Sequence, residues 1–184
     1  MSKKTKKSGQ NKLFSQLELL YAEMEGQYEQ VARSIGLDCR DCSDNCCLSY
    51  FQHHTYIEWA YLWHGLKKLP EKTRESYLQK ARDYLVHQDQ ALREGRTPEI
   101  MCPLNDRGLC AMYDYRLMIC RFHGVPNQVM MPDRSLRKFP GCIVCQQKSR
   151  GMSKIPFLDR TPYYIRLVEL ERKLRKGTAK TLPK

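Results

Sequence analysis

The sequence predicts a mostly α protein, with several helices around a cysteine-rich metal-binding region, irregular loops and at most a small hairpin. Three observations carry this. Apolar residues recur every three or four positions over long stretches. Helix-start and helix-stop signals bracket those stretches. The cysteines sit in polar, irregular segments between them. At 184 residues, 41% of them hydrophobic, the chain is one domain or slightly more and has material for a core.

Taken in order, residues 1–11 read as a disordered basic tail, residues 12–176 as a single cysteine-cluster domain and residues 177–184 as a second disordered tail. From Leu13 to Ile35, the positions Leu13, Phe14, Leu17, Leu20, Tyr21, Met24, Tyr28, Val31 and Ile35 form one helical stripe, and Gly36 stops it. A polar loop follows over Asp38 to Cys47. Thr55-Tyr-Ile-Glu58 is a capping-box pattern opening a helix to about Lys68, which Pro70 ends. Glu71 to Glu94 predicts a third helix with Tyr77, Leu78, Ala81, Leu85 and Leu92 on its apolar side and Gly95 at its end. Cys102 to Cys110 contains Asn-Asp and Gly turn chemistry, and Tyr113 to Cys120 suits a short helix. Gln128 to Met131 and Ser135 to Lys138 flank Pro132-Asp133-Arg134 as a hairpin. Thr161-Pro162 reads as an N-cap and first helical position. The last helix runs to about Lys176 with Tyr164, Ile165, Val168 and Leu174 inward.

Net charge is +12 and is unevenly placed. Residues 1–12 carry five lysines and no acid, while residues 171–184 carry six basic residues and one acid. Ten of the twelve net charges therefore lie at the ends, and the middle is nearly neutral. Basic ends bind nucleic acid non-specifically or simply keep a chain solvated. No apolar run reaches the length of a membrane span. The basic N-terminus has no apolar stretch behind it. The expected setting is cytoplasmic, with no membrane partner and a protein partner left open.

Nine cysteines stand out: Cys39, Cys42, Cys46, Cys47, Cys102, Cys110, Cys120, Cys142 and Cys145. An odd number in a reducing compartment argues against a disulfide framework. Isolated cysteines pack as small apolar residues, but four of them within nine residues of polar loop point to metal ligation. A C-x2-C unit turns two thiolates toward one ion or one cluster edge. Cys39-x2-Cys42-x3-Cys46 supplies three thiolates from one loop, and Cys142-x2-Cys145 is a second compact pair. The order is not the C-x3-C-x2-C of radical enzymes that use S-adenosylmethionine, and no ferredoxin Cys-Pro follows at the required spacing.

Cys39-x2-Cys42-x3-Cys46-Cys47, followed by Cys102-Pro-Leu-x5-Cys110-x2-Tyr113-x2-Arg116-x3-Cys120-Arg121-x-His123, resembles the YkgJ-like cysteine-cluster family, a zinc- or iron-chelating domain. The resemblance spans roughly Cys39 to Gly124. Arg116-Leu117 stands where that family often has Arg-Pro. Cys142 and Cys145 lie beyond the matched part. The resemblance implies metal binding and does not specify a reaction.

All-thiolate ligation suits an iron–sulfur cluster and zinc alike, so both stay open as cofactors, and all nine cysteines are candidate ligands. His123 is a further ligand or a loop-anchoring side chain. His53 and His54 follow the first cysteine run and suit a surface or capping role better than ligation. Arg116 and Arg121 either stabilise thiolates or pair with Asp106 or Asp114. Trp59, Tyr61 and Trp63 read as core and rim aromatics, since a base-stacking platform needs basic neighbours along one face. The expected function is a metal-binding accessory or redox factor. The alternative is a zinc-stapled nucleic-acid-binding module that uses its basic tails. Residues 13–170 alone are expected to keep the fold and the metal.

Overall fold

The computed structural model describes residues 3–38, 46–51 and 55–178. Six helices dominate: α1 (Lys3–Ile35), α2 (Tyr56–Leu66), α3 (Glu71–Arg93), α4 (Met118–Phe122), α5 (Ile143–Lys148) and α6 (Thr161–Thr178). Five short strands accompany them: β1 (Asn105–Asp106), β2 (Leu109–Cys110), β3 (Asn127–Met130), β4 (Leu136–Phe139) and β5 (Leu158–Asp159). The mostly α class stands. The sheet content is somewhat larger than one hairpin, because β5 joins β3 in parallel, with Asn127 opposite Leu158. Among the described residues no helix is long and apolar enough to cross a membrane.

The chain divides into two compact units, the first holding the described residues 3–38, 55–57 and 120–178, the second 46–51 and 58–119. In the first unit α1 packs along α6. Phe14, Leu17, Leu20, Tyr21, Met24, Val31 and Ile35 of α1 are buried, which is the stripe read from the sequence. Each such large side chain contributes about 1.5–3 kcal/mol by leaving water. The helix itself starts at Lys3, where the sequence reading has a tail. Lysine and glutamine are good helix formers, and adding residues to an existing helix is far easier than nucleating one. At the other end, α6 continues to Thr178, and residues 179–184 of the second expected tail lie outside the described residues.

On α6 the buried line is Tyr163, Leu167, Leu170, Glu171 and Leu174, whereas Ile165 and Val168 are exposed. The sequence reading had placed the latter two inward. The helix carries apolar residues on two adjacent lines, and contact with α1 selects one of them. Its start also differs from expectation. Arg160 supplies the carbonyl that accepts from Tyr163 N and Tyr164 N, and Asp159 Oδ1 accepts from Thr161 N at 2.9 Å. The Thr161 hydroxyl instead accepts from Met130 N at 2.9 Å, tying the end of β3 to the helix. The β3–β4 hairpin is as expected, in register from Asn127 opposite Phe139 to Met130 opposite Leu136. Arg160 is buried with its guanidinium over the rings of Phe122 and Phe139, and burial pushes its pKa down.

In the second unit Leu62, Leu66 and Met112 form a small core, flanked by Trp63, Leu69, Leu104, Cys110, Tyr115 and Leu117. Gly65 admits this packing, since a Cβ there would stand 2.4 Å from the Tyr115 ring. Trp59 faces solvent, and Tyr61 stacks on Tyr115 with ring centroids 4.9 Å apart. Glu58 Oε1 accepts from Met118 N at 2.6 Å, an anchor that the capping pattern did not suggest. On α3 only Tyr77 and Ala91 are buried, and Leu85 and Leu92 are exposed, contrary to the apolar side expected for them. The inward side runs through Tyr77, Leu78 and Ala81, as expected, and continues through Tyr84, Gln88 and Ala91, a stretch with too little aliphatic content to show in the pattern.

Candidate metal centre

Backbone geometry brings three cysteines of the second unit together. Cys46–Leu48 forms one turn of 3-10 helix, with Cys46 exposed and Cys47 half-buried. Cys102 N donates to Cys47 O at 2.9 Å, which joins this turn to the segment after α3. Asn105 N then donates to Cys102 O at 2.9 Å, and Asn105 pairs with Cys110 across β1 and β2. The intervening turn takes Arg107 and Gly108 through positive φ, with Asn105 Oδ1 accepting from Gly108 N at 3.0 Å. Asn and Gly chemistry thus folds the seven residues between Cys102 and Cys110 back on themselves.

The electrostatics record the same proximity. Burial pushes the Cys102 thiol up, and the neighbouring Cys47 and Cys110 push it further. Tyr84 of α3 is raised by burial and by the nearby Cys102 and Tyr50. The protein therefore favours the protonated thiol at Cys102, and a bound metal ion would have to displace that proton. Asn105 Nδ2 is buried without a hydrogen-bond partner. A buried amide donor without an acceptor costs roughly 1–3 kcal/mol. Asn105 sits in the loop between Cys102 and Cys110. Neither Asn105 nor Tyr84 was singled out from the sequence; the Asn-Asp turn was the available signal for the first.

Cys120 on α4, Cys142 just before α5 and Cys145 within it belong to the first unit; Cys120 and Cys142 are half-buried and Cys145 fully buried. Cys39, Cys42, His53 and His54 lie outside the described residues. Among the described residues no three His, Cys, Asp or Glu side chains converge tightly enough to hold a metal ion, and no disulfide forms. Arg116 stacks on Tyr113 at 3.6 Å, and Arg121 is buried over Tyr21 at 4.0 Å. Asp106, weighed as a partner for those arginines, pairs with Arg107 at the exposed turn. A cavity of about 400 Å³ lies between the end of α3 and Ile100, lined by His87, Gln90, Arg96 and Glu99. It contains no cysteine, and its Arg96 already pairs with Glu94 at 2.9 Å. No family model, curated protein or solved structure matches the chain.

Proposed function

We propose that the protein binds a thiolate-ligated metal centre, an iron–sulfur cluster or zinc, and serves as an accessory or redox factor. The observation that supports this reading is the gathering of Cys47 and Cys110 around Cys102, held by the 2.9 Å Cys102–Cys47 backbone bond and the β1–β2 pairing. Sulfur donors suit both metals. Cys47, Cys102 and Cys110, with Cys46 beside them, are the residues that would hold the centre in this unit, and their side chains would have to close further on the ion to do so. Asn105 Nδ2, a buried donor in the loop between Cys102 and Cys110, is left for a bound thiolate to satisfy under this reading. The resemblance to the YkgJ-like family, carried by the cysteine spacing, points the same way. When bound, an iron–sulfur cluster would supply one-electron chemistry and zinc would supply a structural staple.

Anaerobic purification of the full chain, followed by metal and sulfide analysis and an absorption spectrum, tests the proposal. Iron with matching inorganic sulfide and broad visible absorption is the outcome for a cluster, and colourless stoichiometric zinc that for a staple. Cys102→Ser and Cys110→Ser should each lower metal content severalfold while leaving the far-ultraviolet circular dichroism of the helices in place. A full chain that carries neither metal, purified with or without air, would remove the proposal.

A further inference from the structure

We propose that Cys142 and Cys145 form a dithiol site that cycles with an intrachain disulfide by exchange with a glutathione-type disulfide. The pair is positioned for it. Cys142 Sγ accepts from Cys145 N at 3.4 Å, so the first sulfur lies over the backbone of the second residue. A disulfide needs the two Cβ atoms at about 3.5–4.5 Å, so closing this pair draws the Cys145 side chain toward the Cys142 sulfur that already sits over its backbone N–H.

The two cysteines differ in access. Cys142 is half-buried and open to a partner, while Cys145 is 0% exposed. A bulky external disulfide therefore meets Cys142 first, and Cys145 reacts with Cys142. The surroundings are built for this tight turn. Cys142 N donates to Gly124 O at 3.0 Å. The preceding residue is Gly141 at φ +87, where a Cβ would stand 2.5 Å from Gly124 O and 3.0 Å from Cys145 Sγ. A side chain there would displace the buried sulfur. Residues 133–150 carry five basic residues against one acid, Asp133, a net excess that favours an anionic partner such as glutathione disulfide over a cationic one.

The exchange balances. The Cys142 thiolate attacks one sulfur of glutathione disulfide, that S–S bond breaks, and one glutathione leaves as thiolate and takes up a proton. The Cys145 thiol then gives up its proton and attacks Cys142 Sγ. The second glutathione leaves, and a Cys142–Cys145 bond remains. Two protein thiols are oxidised and one external disulfide is reduced to two thiols.

The test equilibrates the full-length protein, under argon, with glutathione buffers of graded oxidised-to-reduced ratio. Remaining thiols are alkylated and the peptides mapped by mass. The expected result is one two-electron transition that pairs Cys142 with Cys145, with metal content and helical signal constant across it. Cys142→Ser should abolish the transition, and Cys145→Ser should leave a glutathione adduct on Cys142. The wild-type map stands even if the buried variant folds poorly. The inference is overturned if both thiols alkylate at every ratio, or if either oxidises with a different cysteine. It is also overturned if Cys142→Ser lowers the metal content, because the pair would then be ligands; that outcome leaves the proposed metal binding intact.

Discussion

Glu171 and Glu23 both accept from an arginine, yet their burial sets different weights. Glu171 is 8% exposed, accepts from Ile57 N at 2.9 Å and from Arg175 Nε at 2.6 Å, and so satisfies an amide that water does not reach. Glu171→Ala should cost about 1–3 kcal/mol in urea unfolding, the penalty for a stranded buried donor. Glu23 meets Arg166 through two hydrogen bonds with both side chains near half exposed, and Glu23→Gln should cost no more than about 1 kcal/mol. The Arg166 hydrogen bond holds the Glu23 carboxyl below its ordinary value. A depressed carboxyl stabilises above its unfolded pKa of about 4.3 and loses that contribution as pH falls through the folded value. The difference between wild type and Glu23→Gln should therefore be full at neutral pH and vanish in acid. An equal difference at pH 7 and pH 2 would place its origin outside the ion pair. Gly141 and Gly151 make a second contrast, with similar φ of +87 and +86. An added methyl at 151 meets nothing within 4 Å, so Gly151→Ala should cost about 1 kcal/mol of backbone strain. At 141 the methyl also strikes Gly124 O, and Gly141→Ala should cost about 2–3 kcal/mol or more.

Among the elements, the start of α6 divides between two side chains the capping role that the sequence reading gives to Thr161 alone. Asp159 caps the helix through Thr161 N, while Thr161 serves Met130 N. Asp159→Ala should cost about 1 kcal/mol and speed hydrogen exchange in the first turn of α6. Thr161→Val should leave that turn protected and expose Met130 N. Equal loosening of the first turn by both changes would contradict this division. The same elements show what a linear reading reaches. The α1 stripe was legible because its apolar residues fall on one line, and the β3–β4 hairpin because Pro132-Asp133-Arg134 marks its turn. The inward face of α6 was not, because Tyr164, Ile165 and Val168 form a second line as apolar as the buried one. The first half of the inward side of α3, Tyr77, Leu78 and Ala81, was legible, but its continuation through Tyr84, Gln88 and Ala91 was not, because Leu85 and Leu92 look more apolar than the residues that turn inward. A two-residue β5 that pairs in parallel with β3 is too short and too distant in sequence to carry a local pattern. For the candidate site, the thiol spacings were legible, whereas the division of the cysteines between two units depends on backbone bonds such as Cys102 N to Cys47 O. Asn105 Nδ2 became visible only through its burial.

At the scale of the whole molecule, the placement of charge separates metal binding from nucleic-acid binding. Truncation to residues 13–170, suggested by the sequence, is too severe a test. Glu171 and Leu174 are buried parts of α6, so that truncation should unfold the helix end and strand Ile57 N. Charge neutralisation keeps those contacts. Arg172, Lys173 and Lys176 are exposed and can be changed to glutamine without touching the buried line of α6, and Lys3, Lys4, Lys6, Lys7 and Lys180 are changed with them. If the ends bind duplex DNA, wild type should do so without sequence preference, and its affinity should fall with salt at a logarithmic slope of roughly −0.9 per phosphate neutralised. The neutralised protein should lose that binding and flatten the slope, while its metal content and thermal midpoint stay near those of wild type. Retention of tight, sequence-selective binding at moderate salt would mean that the nearly neutral middle carries a recognition surface. Nucleic-acid binding would then outrank the metal centre as the reading of this chain.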